Sequence, residues 1–213
     1  MWTCSNLELA RCLWKATPHL EPEHAELAAR LRTLALRQDA HFHEMPHEVA
    51  TGGGFVATVD ARTGEPRTRG SNRPYTAIWA TGYGHGTHAA RAICCHARYE
   101  QLAAGHLGLA AKYRALVLAA AEQYLSATPD VDELQKPGAL AHAVDLMLHA
   151  YGMTQEERCL DRAGHFARVG IALFLDDGLP LPKATNRHAH YEAITGGPAF
   201  LHGLLRLALA RDG

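Results

Sequence analysis

The sequence lacks the features that mark a membrane or secreted protein. No apolar run among its 213 residues approaches the ~18 to 20 residues needed to cross a bilayer. The first stretch, MWTCSNLELARCLWKA, has no basic segment followed by an apolar one, so it does not read as a signal peptide. We therefore expect no membrane partner and, by default, a cytoplasmic protein, unless a leader has been lost.

The chain also lacks an excess of charge of one sign and any patterned cysteines. Its formal net charge is −1, with no basic or acidic tail, so we expect no nucleic-acid partner. An odd number of cysteines without C-x-x-C spacing argues against a disulfide framework and a cysteine-rich zinc site. The five cysteines are Cys4, Cys12, Cys94, Cys95 and Cys159.

Histidine is abundant instead, with 15 residues, several of them clustered. Imidazole titrates near neutral pH and binds metals, so this enrichment favours a polar cleft, although histidines also occur on surfaces without a role. We expect no resident cofactor and no metal site. A divalent metal stays the minority alternative.

Apolar residues recur with helical periodicity along most of the chain, which predicts one all-α domain over residues 1–213. The capping-box pair Thr154 and Glu157 predicts a helix start near residue 155. The predicted helices are 5–16, 22–40, 86–104, 107–126, 138–151, 155–175 and 196–211.

Residues 51–84 break this rhythm. FVATVD alternates like a strand and RTGE offers a turn, which predicts a short β-hairpin or loop excursion near residues 51–80. Such excursions often cover or build a site. This one is locally basic and would suit an anionic ligand, or pair with nearby carboxylates. Its arginines are Arg62, Arg67, Arg69 and Arg73.

Three further groups of side chains are candidate ligand contacts. One polar stripe on the 138–151 helix is either a solvated face or a ligand-binding face. Glycines before the 86–104 helix leave N–H groups that attract anions, unless the adjacent histidines cap and cover that helix start. Aromatic residues spaced by four can stack on sugars or pack in the core. The three groups are His142, Asp145 and His149; His85 and His88; and Tyr75, Trp79 and Tyr83.

The stretch GALAHAVDLMLHAYGMTQEERCLDRAGHFARVGIALFLDDG resembles one helical hairpin of the α/α-toroid (six- or seven-hairpin) carbohydrate-active enzymes. HYEAITGGPAFLHGLLRLAL is similar to a closing inner helix of that architecture. The resemblance spans roughly residues 75 to 211 and implies antiparallel helical hairpins in a partial or complete toroid. The chain is short for a six-hairpin ring, so closure would require an oligomer or a missing segment. The matching residues are Tyr151, Gly152, Thr154, Glu157, Leu160 and Ala163.

The loop NRHAHYEAITGG, residues 186–197, concentrates groups that transfer protons and neutralise anions. Eliminating a group from a uronate requires neutralisation of its carboxylate, a base and an acid. Asn186 and Arg187 would neutralise the substrate carboxylate. His190 or His188 would act as the base, and Tyr191 would act as the acid. This inventory is similar to that of toroid polysaccharide lyases. A polar connection between two helices is the alternative role.

The leading hypothesis is therefore a lyase that acts on an acidic, uronate-type saccharide by β-elimination. The predicted substrate contacts are Tyr75, Trp79, Tyr83, His85, His88, Arg69, Arg73, His142, Asp145, His149 and Glu192. A glycoside hydrolase using two of Asp145, Glu192 and Asp60 is the second reading. A non-catalytic helical-repeat module for binding or assembly is the third.

Overall fold

The computed structural model describes residues 3–68, 73–79, 86–175 and 178–212. Within these ranges the fold is all-α, and a helix lies at each position where periodicity predicts one. None of the described helices has both the length and the apolar character of a membrane span. The helices are α1 (Thr3–Leu20), α2 (Ala25–Glu44), α3 (His88–Leu102), α4 (Leu107–Ser126), α5 (Pro137–Thr154), α6 (Glu157–Phe174) and α7 (Gly197–Asp212).

The chain divides into two compact units. The first comprises Met1–Thr76 and Cys94–Leu116, and the second comprises Ala77–Ile93 and Val117–Gly213. The division falls within α3 and α4, each of which contributes residues to both units. The single domain and the α/α toroid remain predictions.

In the first unit, α1 and α2 are joined by a turn at residues 21–24 and pack against each other. Their buried positions recur at helical spacing, with Leu7 and Ala10 on α1 and Ala28, Ala35 and Phe42 on α2. Burying one stripe of each helix is what the apolar periodicity of the sequence requires.

The centre of the first unit is a fully buried ion pair between Asp39 of α2 and Arg98 of α3. Arg98 donates from Nε to Oδ1 of Asp39 at 2.8 Å and from Nη2 to Oδ2 at 2.6 Å. The Tyr113 hydroxyl donates to the same carboxylate at 2.8 Å, and Arg98 Nη1 donates to Gln101 at 2.9 Å. The guanidinium also lies 4.7 Å from the centre of the Trp14 ring. Both charges are therefore compensated in the absence of water.

The predicted β-hairpin takes a looser form than a regular pair of strands. Isolated antiparallel bridges join Val56 to Tyr75 and Val59 to Pro66, and a turn occupies residues 61–63. Residues 54–59 are all buried, so the alternation in FVATVD does not separate an inner from an outer face. In the described part of the excursion, Arg67 donates to Asp60 at 2.6 Å and Arg73 is exposed.

In the second unit, α5 contacts both α6 and α7. Most of α5 is buried, including Leu140, Val144 and Met147. Helices α6 and α7 approach closely at Gly170, where an added Cβ would lie 2.3 Å from the Phe200 ring. A side chain at residue 170 would therefore displace that ring.

The predicted capping box is wrong. Thr154 is the last residue of α5, and the chain turns at Gln155, which has a φ of 60°. The N-cap of α6 is Glu156, which makes no side-chain capping bond. The Thr154 hydroxyl instead donates to Ala150 O and accepts from Glu156 N, so it serves the connection between the helices.

Replacing Asp39 by alanine should lower the free energy of unfolding by about 3–5 kcal/mol, because Arg98 would remain buried without its counter-charge. Urea unfolding followed by circular dichroism measures the change. The exposed pair Arg32–Glu21 provides the control, and Glu21→Ala should cost no more than ~1 kcal/mol. Equal losses in the two variants would contradict a central role for the buried pair.

His43 should make the free energy of unfolding dependent on pH. The centroids of its ring and the Tyr113 ring are 4.3 Å apart, and its buried Nε2 has no hydrogen-bond partner among the residues that the structure describes. Burial, assisted by Lys112, lowers the pKa of His43 to about 4 from 6.5. The unfolded chain then binds a proton that the folded chain does not, so this contribution is complete above about pH 6.5 and is lost between about pH 6.5 and 4.

Unfolding measured from pH 7.5 to 4 tests this dependence. His43→Phe should flatten the fall in stability, whereas His41→Phe, at an exposed site of the same helix, should leave it unchanged. If the His43→Phe profile parallels that of the unmodified protein, His43 is not the titrating group.

Candidate functional site

The loop 184–192 connects α6 to α7 and is held by Asn186. The Asn186 amide nitrogen donates to Val131 O and Glu133 O, both at 2.9 Å. Its side-chain oxygen accepts from Gln135 N at 3.0 Å, and its backbone N–H donates to Gln135 O. One side chain thus fixes the loop to the segment that precedes α5.

Arg187 adds to this attachment. Its Nη2 donates to Asp132 O, and its backbone N–H donates to the Thr185 hydroxyl at 3.1 Å. Asn186 and Arg187, the predicted neutralisers, both position the loop. Their role toward a substrate carboxylate stays a prediction. A guanidinium carries five N–H donors, so Arg187 can hold the loop and still donate to a ligand.

The same loop brings His188, His190 and Glu192 together. His190 Nε2 lies 2.8 Å from Glu192 Oε1, and His188 Nδ1 lies 2.8 Å from the Thr185 hydroxyl. The centroids of the two imidazole rings are 5.9 Å apart. Each ring is oriented by a hydrogen bond through one nitrogen, and the His190 and Glu192 side chains are exposed by 59% and 42%. This is a His–carboxylate pair open to solvent.

Tyr191 lies between these groups in sequence and remains partly accessible, with 38% exposure. Its ring edge is next to Gly197, where an added Cβ would lie 3.2 Å away. Gly196 has a φ of +88°, and a Cβ there would lie 2.5 Å from the Gly138 Cα. The end of the loop therefore packs directly on the first turn of α5, which requires glycine at residue 196.

The polar stripe on α5 is half-buried rather than solvated. Asp145 accepts from Arg206 at 2.6 Å, and His149 has the same intermediate exposure as Asp145. Burial lowers the pKa of His142, an effect that the nearby Asp145 carboxylate opposes. A role for these side chains in ligand binding stays a prediction.

The expected anion-attracting N–H groups at the start of α3 are already bonded. The first-turn N–H groups, residues 88–91, donate to Ala77 O, the Tyr124 hydroxyl, the Thr87 hydroxyl and the Thr87 carbonyl. The prediction of exposed N–H donors at this helix start is therefore wrong for residues 88–91, whereas Gly82 and Gly84, on which it also rested, lie outside the described residues. His88 is itself buried, with 3% exposure.

The aromatic candidates have separate environments. Trp79 packs edge-on against Tyr124 and Phe166, with centroids 5.4 and 5.6 Å away, which is a core contact within the second unit. Tyr75 belongs to the first unit. Burial, followed by its hydrogen bond to Glu48, raises the pKa of Tyr75. The predicted contacts Arg69, Tyr83 and His85 lie outside the described residues.

Among the described ranges, no group of three or more His, Cys, Asp or Glu side chains is arranged to hold a metal ion. Comparisons with protein-family models, curated proteins and solved structures found no match to this chain. Sequence reasoning missed Thr185 as the partner of His188 and residues 131–135 as the support of the loop.

Asn186→Ala should loosen the loop, because three backbone groups of residues 131–135 would lose their side-chain partner. We expect a loss of about 1–3 kcal/mol in local stability and faster amide exchange in a peptide that covers residues 184–192. Hydrogen exchange read by mass spectrometry measures this rate. The control is His188→Ala, which removes only one hydrogen bond in the loop. Identical exchange in both variants would refute the anchoring role of Asn186.

Proposed function

We propose that this protein is a carbohydrate-active enzyme that cleaves an acidic, uronate-type saccharide by β-elimination at the 184–192 loop. The observation that carries the proposal is the solvent-facing pair of His190 and Glu192, 2.8 Å apart on a loop that Asn186 fixes in place. A carboxylate that orients an imidazole favours its use as a proton acceptor.

In this proposal His190 removes the proton α to the substrate carboxylate, and Glu192 stabilises the imidazolium that forms. Tyr191, the partly exposed neighbour, protonates the leaving oxygen. Arg187 neutralises the substrate carboxylate through guanidinium N–H groups other than the one that donates to Asp132 O. His188, oriented by Thr185, is the alternative base.

The hydrolase reading has less support from the described contacts. Asp145 is paired with Arg206, and Glu192 with His190. Backbone N–H groups of Arg62 and Thr63 lower the pKa of the Asp60 carboxyl, which therefore stays ionised. A glycosidase requires one protonated carboxyl group as its acid, and a lowered pKa is the wrong direction for that role.

Incubating the full chain with a panel of uronate oligomers, with and without divalent metals, tests the proposal. Elimination creates a conjugated double bond, whose ultraviolet absorbance is the readout. His190→Ala and Tyr191→Phe should each lower the rate by about 10²–10⁴-fold, the range for a general base or acid. Glu192→Gln should cause a smaller loss, because it retains the imidazole.

His202→Ala is the matched control, since His202 is an exposed histidine on α7, outside the loop. It should retain the full rate. Absence of the conjugated product across the panel would contradict the proposal. New reducing ends without that product would indicate hydrolysis, and binding without any cleavage would indicate a binding module.

A further inference from the structure

Arg91, in the first turn of α3, carries a buried guanidinium group, and two of its three nitrogens lack a hydrogen-bond partner in the described part of the chain. Its exposure is 4%. Its Nε and Nη1 atoms are buried and have no hydrogen-bond partner in the described part of the chain. The backbone N–H of Arg91 donates to Thr87 O, so the helix is regular at this position. The unsatisfied groups belong to the guanidinium alone.

Two other arginines of the described chain, one buried and one half-buried, have partners for their guanidinium groups. Arg98 donates to Asp39 and Gln101. Arg162 donates to Tyr124 O and Ala127 O and lies 4.6 Å from the Phe166 ring centre. A buried donor without an acceptor is costly, and a buried charge without a counter-charge is more so. Arg91 therefore differs from the residues that use a guanidinium to stabilise the fold.

The first turn of α3 supplies nothing that compensates this charge. It contains no acidic residue. His88, one turn before Arg91 on the same face, is buried, and burial lowers the pKa of His88 to about 4. Its imidazole is therefore neutral at pH 7 and neither repels nor neutralises an anion. The N–H groups of the turn are already bonded, which leaves the guanidinium as the donor for a ligand.

We propose that Arg91 is the recognition group for a single oxyanion of a bound ligand, most simply a carboxylate. A guanidinium presents parallel N–H groups whose spacing matches the two oxygens of a carboxylate. Binding in a dehydrated setting would convert the uncompensated charge into an ion pair. The site requires only an anion and no proton transfer. The choice of uronates as probes rests on the proposed function.

Thermal unfolding of the full chain at constant ionic strength tests the site. The probes are glucuronate, galacturonate and inorganic phosphate, with glucose as the neutral control. A ligand that binds only the folded state stabilises it by RT ln(1 + [L]/Kd), so the melting temperature rises with ligand concentration. We expect a dose-dependent rise with a uronate and none with glucose.

Arg91→Met should abolish this response, with an apparent affinity at least about tenfold weaker, because a charge-assisted hydrogen bond is lost. Without ligand, its melting temperature should be equal to or above that of the unmodified protein, since an unpaired buried charge is removed. Arg91→Lys keeps the positive charge but loses the paired N–H groups of the guanidinium, so its melting temperature should respond only weakly to the ligand. The matched control is Arg206→Met, which breaks the pair with Asp145. It should melt earlier and keep the ligand response.

The proposal is overturned if no anion shifts the melting temperature, or if Arg91→Met responds as the unmodified protein does. A loss of stability in Arg91→Met equal to that in Arg206→Met would also overturn it, because Arg91 would then have a partner within the protein. An Arg91-dependent response to phosphate but not to uronates supports an oxyanion site of phosphate specificity. If Arg91→Met does not fold, Arg91→Lys decides the question by the same comparison.

These measurements read binding without turnover. A chain that binds uronates through Arg91 but makes no unsaturated product would retain this inference and lose the proposed elimination. A chain that makes the product equally well with Arg91→Met would retain the elimination and lose this inference.

Discussion

The first unit depends on the ion pair between Asp39 and Arg98. It joins α2 to α3, and Tyr113 extends the contact to α4 while Trp14 extends it to α1. Burial of these charges is tolerated only because every partner is in place. Burial, strengthened by the adjacent Asp39 carboxylate, raises the pKa of Tyr113, so its hydroxyl stays a donor. Apolar packing surrounds this centre, but the pair requires that these particular helices meet in one register.

The 184–192 loop is also held by a polar side chain whose hydrogen-bonding groups all have partners, but here the side chain is neutral. Asn186 uses both its amide hydrogens and its oxygen on the backbone of residues 131–135. That arrangement limits the movement of His188 and His190, whose ring orientations are each set by one further bond. A site for proton transfer needs such a fixed geometry. The residues that hold the loop are therefore as relevant to the proposed reaction as the imidazoles.

The sequence predicted the helices well, because apolar periodicity is local information. It did not predict the pairing of Asp39 with Arg98, since two polar helix residues far apart in the chain read as solvated. The chemistry of the loop was visible by residue type, but the partners of Asn186 lie in another segment. The capping box failed because α5 continues to Thr154 and ends at Gln155, which adopts a left-handed conformation, so Thr154 belongs to the preceding helix. Contacts between segments were thus the part that the sequence did not reveal.

Helix α3 carries two buried arginines, Arg91 and Arg98, two turns apart. Arg98 is compensated by a carboxylate, an amide and an aromatic ring, so its burial is explained by stability. Arg91 is also buried, but its Nε and Nη1 atoms have no hydrogen-bond partner in the described part of the chain. Arg98 shows that a guanidinium on this helix can be fully paired within the protein, so the missing partners of Arg91 are not imposed by the helix itself. In the proposed anion site, the Arg91 guanidinium is held for a partner from outside the chain, because ligand sites are where proteins give up local stability.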